Sequence, residues 1–119
     1  MRILVTGSSG TIGTRLCEKL MEAGHDVIGA DWEPCKWNAA VEAIRVNIDL
    51  RDAKQIKAQS AKLQADLIVH LAANARVYEL VEHPERALDN CIDTFNVLEF
   101  ARENGIKKMM FASSRETYG

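Results

Sequence analysis

Three glycines spaced three residues apart, in the run Thr6–Gly13, constrain the fold of this chain more than any other feature of its sequence. A short apolar stretch, Ile3–Val5, precedes the run, and Thr11–Ala23 carries apolar side chains at helical spacing. Gly24 then provides a natural helix stop. Glycines in this position predict a tight turn that joins the first strand of a sheet directly to a helix.

Each glycine of this turn has its own expected task. Gly7 permits the tight turn, Gly10 leaves the backbone open to a bound pyrophosphate, and Gly13 lets the helix approach the sheet. The N–H groups of Ser9–Ile12 are expected to point out of the helix start, where the helix dipole also favours an anion. A glycine triplet alone also fits a purely structural turn, so the surrounding residues decide between the two interpretations.

The remainder of the chain alternates between strand-like and helix-like patterns. Apolar runs predict further strands at Asp26–Ala30, Ala43–Asn47, Asp66–Ala72 and Lys108–Ala112. Trp32–Glu42 is predicted as a loop with one helical turn, Asp52 as the cap of a helix through Leu63, and Pro84 as part of the first turn of a helix toward Asn104. The apolar side of this last helix is expected to consist of Leu88, Ile92, Phe95, Leu98 and Phe100.

Strands that alternate with helices of this length build βαβ units around a parallel sheet. We therefore predict an α/β fold, a Rossmann-type doubly wound parallel sheet of about five strands in three α/β/α layers. No linker, low-complexity stretch or short repeat interrupts residues 1–119, which are predicted to form one domain.

Composition excludes several classes of function. The net charge is −2 without a run of basic residues, so no nucleic-acid surface is expected. No apolar stretch approaches the roughly 18 residues that cross a bilayer, so no membrane partner is expected. Cys17, Cys35 and Cys91 lack the spacing of a zinc site, so no metal is predicted and a reducing, cytoplasmic location is the simplest interpretation.

Asp31 strengthens the interpretation of the glycine turn as a nucleotide site. It stands at the predicted end of the second strand, 18 residues beyond Gly13, where a carboxylate accepts the adenosine ribose hydroxyls of NAD. A carboxylate there would repel the 2′-phosphate of NADP, and the following Trp32 and Glu33 supply no compensating charge. Lys36 is the nearest cation along the chain. NAD is therefore the predicted cofactor.

Later segments add patterns to the glycine turn, which has the form TGxxGxxG. They are Asn47–Asp52 after the third strand, His70–Ala73 at the end of the fourth, Asn90, Thr94 and Asn96–Glu99 in the long helix, and Phe111–Ser114 with Tyr118 and Gly119 after the last strand. In this order and over the whole chain, the patterns resemble the extended short-chain dehydrogenase/reductase family, in its NAD-dependent epimerase/dehydratase branch, which includes UDP-glucose 4-epimerases.

The resemblance implies which residues would bind the cofactor. Thr11 and Ile12 would lie at the pyrophosphate, Asp31 at the ribose, and Asp49 and Leu50 around the adenine. Leu71, Ala72, Ala73 and Asn74 would follow the middle of the cofactor, and Asn90 its nicotinamide side. Ser113 would have a structural or cofactor-side role. The predicted cofactor site thus comprises Gly7, Gly10, Thr11, Ile12, Gly13, Asp31, Asp49, Leu50, Leu71, Ala72, Ala73, Asn74, Asn90 and Ser113.

Ser114 stands at the position of the family's catalytic Ser/Thr, four residues before Tyr118. There it would hydrogen-bond a reacting hydroxyl or carbonyl oxygen, although two serines after a strand also fit a simple turn. The family's catalytic tyrosine belongs to a YxxxK pair, and no such pair occurs in this sequence. Residues 1–119 are therefore expected to be an N-terminal, incomplete NAD-binding domain, and the fragment alone is expected to be inactive.

Two further residues receive specific expectations. Asp93 occupies the usual glycine of the family's central-helix pattern, so the packing there is expected to differ. His70 lies within a buried strand and is expected to be a hydrogen-bonded core histidine rather than a ligand. The stretch from Asp31 to Asp49 is shorter than in many sugar-nucleotide epimerases, which weakens any assignment to a subfamily.

The resemblance implies a function for the intact protein. It would epimerise a sugar nucleotide by transient hydride transfer to NAD, with a small-molecule sugar substrate and a homodimeric assembly. One alternative is a sugar or uronate dehydrogenase, or another reductase, that releases NADH. The other is a non-catalytic NAD-binding module.

Overall fold

The computed structural model describes residues 1–74, 77–114 and 118. Its centre is a five-stranded sheet in the order β3-β2-β1-β4-β5, in which every neighbouring pair is parallel. The strands are β1 (Arg2–Thr6), β2 (Asp26–Asp31), β3 (Arg45–Asn47), β4 (Leu67–His70) and β5 (Met109–Phe111). The predicted Rossmann-type sheet is confirmed.

Helices connect the strands. They are α1 (Thr11–Glu22), α2 (Ala39–Ala43), α3 (Ala53–Ala58), α4 (Val77–Glu82) and α5 (Glu85–Glu103). Side chains cap two of them, and one of these caps, Asp52, was predicted. Asn38 Oδ1 accepts the N–H groups of Ala40 and Val41 at the start of α2, and Asp52 Oδ1 accepts the N–H of Lys54 at the start of α3.

The sheet is buried on both faces, because successive side chains of a strand point to opposite sides. In β1, Leu4 packs into a core shared with Ile68 and Phe100, on the side of α3 and α5. Ile3 and Val5 pack into a second core with Cys17 of α1. These two cores establish the predicted three-layer arrangement.

Several predicted boundaries were wrong by a few residues. Strand β3 begins at Arg45 and not at Ala43, because α2 continues to that alanine. Helix α3 ends at Ala58, and the chain then turns with bonds between residues three apart, such as Leu63 N–H to Ser60 O. Leu63 is nevertheless buried, so its predicted inward direction is confirmed. Helix α4 was not predicted, and α5 begins at Glu85, immediately after Pro84.

The expected apolar side of α5 was wrong for four of its residues. The helix buries Val97, Phe100 and Ala101 against the sheet. At about 100° per residue, the stripe of Leu88, Ile92 and Phe95 lies on the opposite side of the helix, and all three are exposed. Only one side of the helix contacts the sheet, so a second stripe of apolar side chains with the same periodicity remains on the surface. Leu98 is also exposed.

Candidate functional site

A cavity of about 550 Å³ lies at the carboxyl ends of the central strands. Strand β1 separates β2 and β3 on one side from β4 and β5 on the other, so the chain reverses direction across the sheet at this point. Open α/β sheets bind ligands at such a switch point. The lining residues are Gly7, Ser9, Gly10, Thr11, Ala30, Asp31, Trp32, Glu33, Ile48, Asp49, Leu50, Arg51, Leu71, Ala72, Ala73, Asn74, Glu79 and Asp93.

The glycine turn forms the wall between β1 and α1. Gly7 has φ of 71°, and a Cβ atom there would lie 2.8 Å from the backbone N of Ala72. A Cβ atom on Gly13 would lie 2.0 Å from the carbonyl oxygen of Gly7, so the first turn of α1 packs directly on the glycine turn. A Cβ atom on Gly10 would lie 3.4 Å from the Gly7 carbonyl oxygen, which is an ordinary contact, so packing within the described chain does not itself require a glycine there.

The expectation that four consecutive amides face outward was wrong for two of them. The N–H of Ser9 donates to Asp31 Oδ2 at 3.0 Å, and the N–H of Gly10 donates to the Gly7 carbonyl at 3.2 Å. Thr11 and Ile12 occupy the first turn of α1 with exposed side chains. The backbone groups left for an anion are therefore those at the helix start itself.

Asp31 joins the glycine turn to the end of β2. Its Oδ2 atom accepts the Ser9 N–H, and its Oδ1 atom accepts the N–H of Glu33 at 2.9 Å. A carboxylate has about four lone-pair sites, so both oxygens keep capacity for further donors such as ribose hydroxyls. Arg45 donates to the Asp31 carbonyl at 3.0 Å, while its guanidinium is paired with Glu42.

The lining of the cavity includes an arginine that sequence reasoning missed. The Arg51 guanidinium lies 4.5 Å from the centre of the Trp32 ring. It also pairs with Asp49 at 2.9 Å and with Asp89 of α5 at 3.3 Å. The pairing with Arg51 lowers the pKa of Asp49 below its ordinary value. Trp32 follows the second strand directly, and this position is the one sequence signal that could have identified the contact between Trp32 and Arg51.

At the end of β4, buried polar groups fix the strand to β1 and α5. Thr6 Oγ1 lies 2.7 Å from His70 Nδ1 and accepts the N–H groups of Leu71 and Ala72 at 3.1 Å. His70 Nε2 lies 3.1 Å from Thr94 Oγ1. Burial lowers the pKa of His70, which favours the uncharged ring. The prediction of a hydrogen-bonded core histidine is confirmed.

Asn90 contacts the site through its neighbour and does not itself line the cavity. Its Oδ1 accepts the N–H of Asn74 at 2.7 Å, and its Nδ2 donates to the Asn74 carbonyl at 3.1 Å. Asn90 thereby fixes the backbone that follows β4. Its expected place beside a nicotinamide ring stays a prediction.

Asp93 is the most unusual side chain of the cavity. Its Oδ1 atom is buried and has no hydrogen-bond partner within the described residues. Burial raises its pKa to about 6, and the nearby Asp49 and Asp89 add to this effect against the opposing charge of Arg51. The different packing expected at this position thus takes the form of a half-buried carboxyl group in the lining of the cavity.

The structure brings most of the predicted site together, but not its last members. Ser113 and Ser114 are exposed beyond β5 and do not line the cavity. Tyr118 is also exposed, and residues 115–117 and 119 lie outside the described part of the chain. Ile12 and Gly13 belong to α1 without lining the cavity. The catalytic role of Ser114 stays a prediction.

Two kinds of feature are absent from the described residues. Within residues 1–74, 77–114 and 118, no three His, Cys, Asp or Glu side chains are grouped as metal ligands would be. In the same part of the chain, no helix combines the length and apolarity needed to span a membrane.

Comparisons with known proteins identify relatives of this chain. UDP-glucose 4-epimerases from Pisum sativum and Halalkalibacterium halodurans are 33% and 34% identical to this chain. The matches cover 99% and 100% of this chain, but 38% and 36% of those proteins, so the chain spans under two fifths of the length of these relatives.

Solved structures show the same relation. UDP-glucose 4-epimerase from Bifidobacterium longum in complex with NAD+ and UDP superposes with a TM-score of 0.88 at 31% identity, over 100% of this chain and 38% of that one. The UDP-glucose 4-epimerase of Thermus thermophilus in complex with NAD gives a TM-score of 0.85 at 30% identity, over 96% and 38%. The family model described as "NAD dependent epimerase/dehydratase family" matches residues 3–119. This chain therefore belongs to the NAD-dependent epimerase/dehydratase family.

Proposed function

We propose that the chain binds NAD in the cavity at the carboxyl ends of its strands. The observation that carries this proposal is the bond between Asp31 and the Ser9 amide, because it holds the carboxylate that would accept the ribose hydroxyls beside the glycine turn. Gly10, Thr11 and Ile12 would take the pyrophosphate at the start of α1. Asp49 and Leu50 would border the adenine, and the segment 71–74 would follow the middle of the cofactor.

NAD in preference to NADP is part of this proposal. Asp31 would repel a 2′-phosphate, and Arg45 and Arg51 already pair with Glu42, Asp49 and Asp89. Isothermal titration of the purified protein with NAD and with NADP tests the choice. We expect NAD to bind at least about tenfold more tightly, a difference of about 1.4 kcal/mol. Equal affinities, or tighter binding of NADP, would contradict it.

For the intact protein, we propose epimerisation of a sugar nucleotide. Bound NAD would supply reversible hydride acceptance, and Ser114 would hydrogen-bond the reacting oxygen. The similarity to UDP-glucose 4-epimerases supports this substrate class. Incubating the intact protein with NAD and UDP-sugars should yield the epimer without net NADH. Net NADH would instead identify the dehydrogenase alternative, and binding without turnover would identify a non-catalytic module.

We also propose that the protein is a homodimer in a reducing, cytoplasmic location. The exposed stripe of Leu88, Ile92 and Phe95 on α5 supports the dimer, because contiguous apolar surface commonly marks an interface. The free thiols of Cys17, Cys35 and Cys91 support the location. Sedimentation of the wild type and of Phe95→Ser tests the interface: the variant should shift toward monomer, and a monomeric wild type at high concentration would overturn it.

A further inference from the structure

Asp93 is placed where a bound dinucleotide would pass. The side of α5 that faces the sheet carries Asn90, Asp93 and Val97, and each of these residues lies about one helical turn beyond the one before it. Val97 is buried in the core, Asn90 fixes the backbone at Asn74, and Asp93 lines the cavity between them. The Oδ1 atom of Asp93 is shielded from solvent and has no partner among the described residues, so the carboxyl group beside the cavity has unused hydrogen-bonding capacity.

The charged groups around Asp93 are mostly acidic and together disfavour a negative charge there. Asp49 and Arg51 face it from the loop after β3, Asp89 from its own helix, and Glu79 of α4 lines the same cavity. Arg51 is the cation in this group, and it already pairs with Asp49 and Asp89. From β4, the uncharged His70 bonds to Thr94. These surroundings favour the neutral acid, in agreement with the raised pKa of Asp93.

Adenine offers a chemical match to a neutral carboxylic acid. Its ring nitrogens accept hydrogen bonds, and an ionised carboxylate has no hydrogen to donate to them, whereas a protonated one does. The cavity also contains Asp49 and Leu50, the residues proposed to border the adenine, together with Trp32 and Arg51.

Resting on the NAD site proposed above, we infer that Asp93 is an adenine-positioning residue that binds the base as an uncharged acid, donating its hydroxyl hydrogen to a ring nitrogen. Binding then takes one proton from solvent when the free protein carries the ionised form. The proton ends on the Asp93 carboxyl group, and no other bond changes. The chain thus couples cofactor affinity to pH through a residue that replaces the glycine of its family's pattern.

Calorimetric titration of the wild type with NAD is the first test. It is carried out between pH 5.5 and 8, each time in two buffers that differ in ionisation enthalpy. We expect uptake approaching one proton per NAD at pH 7.5, and an association constant that falls up to about tenfold per pH unit above pH 6. Binding without proton uptake would overturn the inference while leaving the NAD site in place. No binding of NAD at any pH would overturn the proposed site as well.

Variants and partial cofactors test which group takes up the proton and which half of NAD causes the uptake. Asp93→Asn keeps an uncharged donor, so its NAD affinity should not change with pH, and Glu103→Gln, the same charge change at the far end of α5, should keep the wild-type profile. Titration with AMP should show the proton uptake seen with NAD, and titration with nicotinamide mononucleotide should show none. An Asp93→Asn protein that retains the pH dependence, or uptake confined to nicotinamide mononucleotide, would contradict the assignment.

Discussion

The backbone N–H of Ser9 donates to Oδ2 of Asp31 at 3.0 Å, so residues 22 positions apart in the sequence share one hydrogen bond at the floor of the cavity. The glycine turn after β1 and the carboxylate after β2 are thereby held as one unit. The parallel pairing of β1 and β2 makes this possible, because it brings both carboxyl ends to the same edge of the sheet.

Replacing Asp31 should weaken NAD and relax the discrimination against NADP. In Asp31→Ala, the loss of the ribose acceptor should raise the Kd for NAD by about tenfold or more, or about 1.4 kcal/mol. The ratio of NADP to NAD affinity should rise because the repelling charge is gone. Glu22→Gln, which removes an exposed carboxylate at the end of α1 that lies away from the cavity, serves as the control in the same titrations. An unchanged preference in Asp31→Ala would argue against the ribose role.

Two glycines of the turn should separate folding from binding. Gly13→Ala places a methyl group 2.0 Å from the Gly7 carbonyl, and we expect it to lower the free energy of unfolding by about 2 kcal/mol or more. In Gly10→Ala the nearest atom to the new methyl group is the Gly7 carbonyl oxygen at 3.4 Å, so the variant should fold normally. It should nevertheless bind NAD more weakly, because its methyl group enters the cavity. Urea unfolding and calorimetric titration of both variants measure the two effects; equal stability of the pair would contradict the packing argument.

The raised pKa of Asp93 predicts a pH-dependent stability. The folded chain holds the proton more tightly than the unfolded chain, so stability is fully present at low pH and falls as the pH rises toward and through about 6. Asp93→Asn removes this loss. Because Asp93 is only partly buried, solvent reduces the effect of its charge. We therefore expect the variant to be about 1 kcal/mol more stable than the wild type at pH 8, or roughly 4–8 °C higher in Tm. At pH 4 the difference should vanish, and a constant difference across pH would point to packing instead of ionisation.

The bonds around His70 predict that two threonine variants lose different amounts of unfolding free energy. Thr6→Val removes the hydroxyl that bonds His70 Nδ1 and the Ala72 amide, whereas the Leu71 amide keeps its bond to the Thr6 carbonyl, so the variant should cost about 2–3 kcal/mol of unfolding free energy. Thr94→Val removes the partner of His70 Nε2 and a bond to the Asn90 carbonyl within α5, but it leaves no backbone amide without its acceptor and should cost less. Urea unfolding of both proteins measures the order, and a larger loss in Thr94→Val would show that the amide bonds to Thr6 contribute little.

Much of the fold could be predicted because its signals are local. The glycine turn, the position of Asp31 at the end of β2 and the order of the strands depend on residues close in sequence, and the structure confirms them. Boundaries near Ala43 and Leu63 were wrong because a cap at Asn38 and a series of three-residue turns decide them. These are small energetic differences between neighbouring backbone conformations, which a hydrophobic pattern does not resolve.

The sequence by itself determined a parallel α/β sheet with a nucleotide-type turn, because hydrophobic periodicity and glycine spacing specify local structure directly. Only the tertiary structure decided which side of α5 is buried, since two apolar stripes compete and the sheet contacts one. It also decided that Arg51 meets Trp32 and that Asp93 faces the cavity without a partner among the described residues. Those relations join segments 19 and more residues apart, and they exist only where the sheet brings the ends of its strands together.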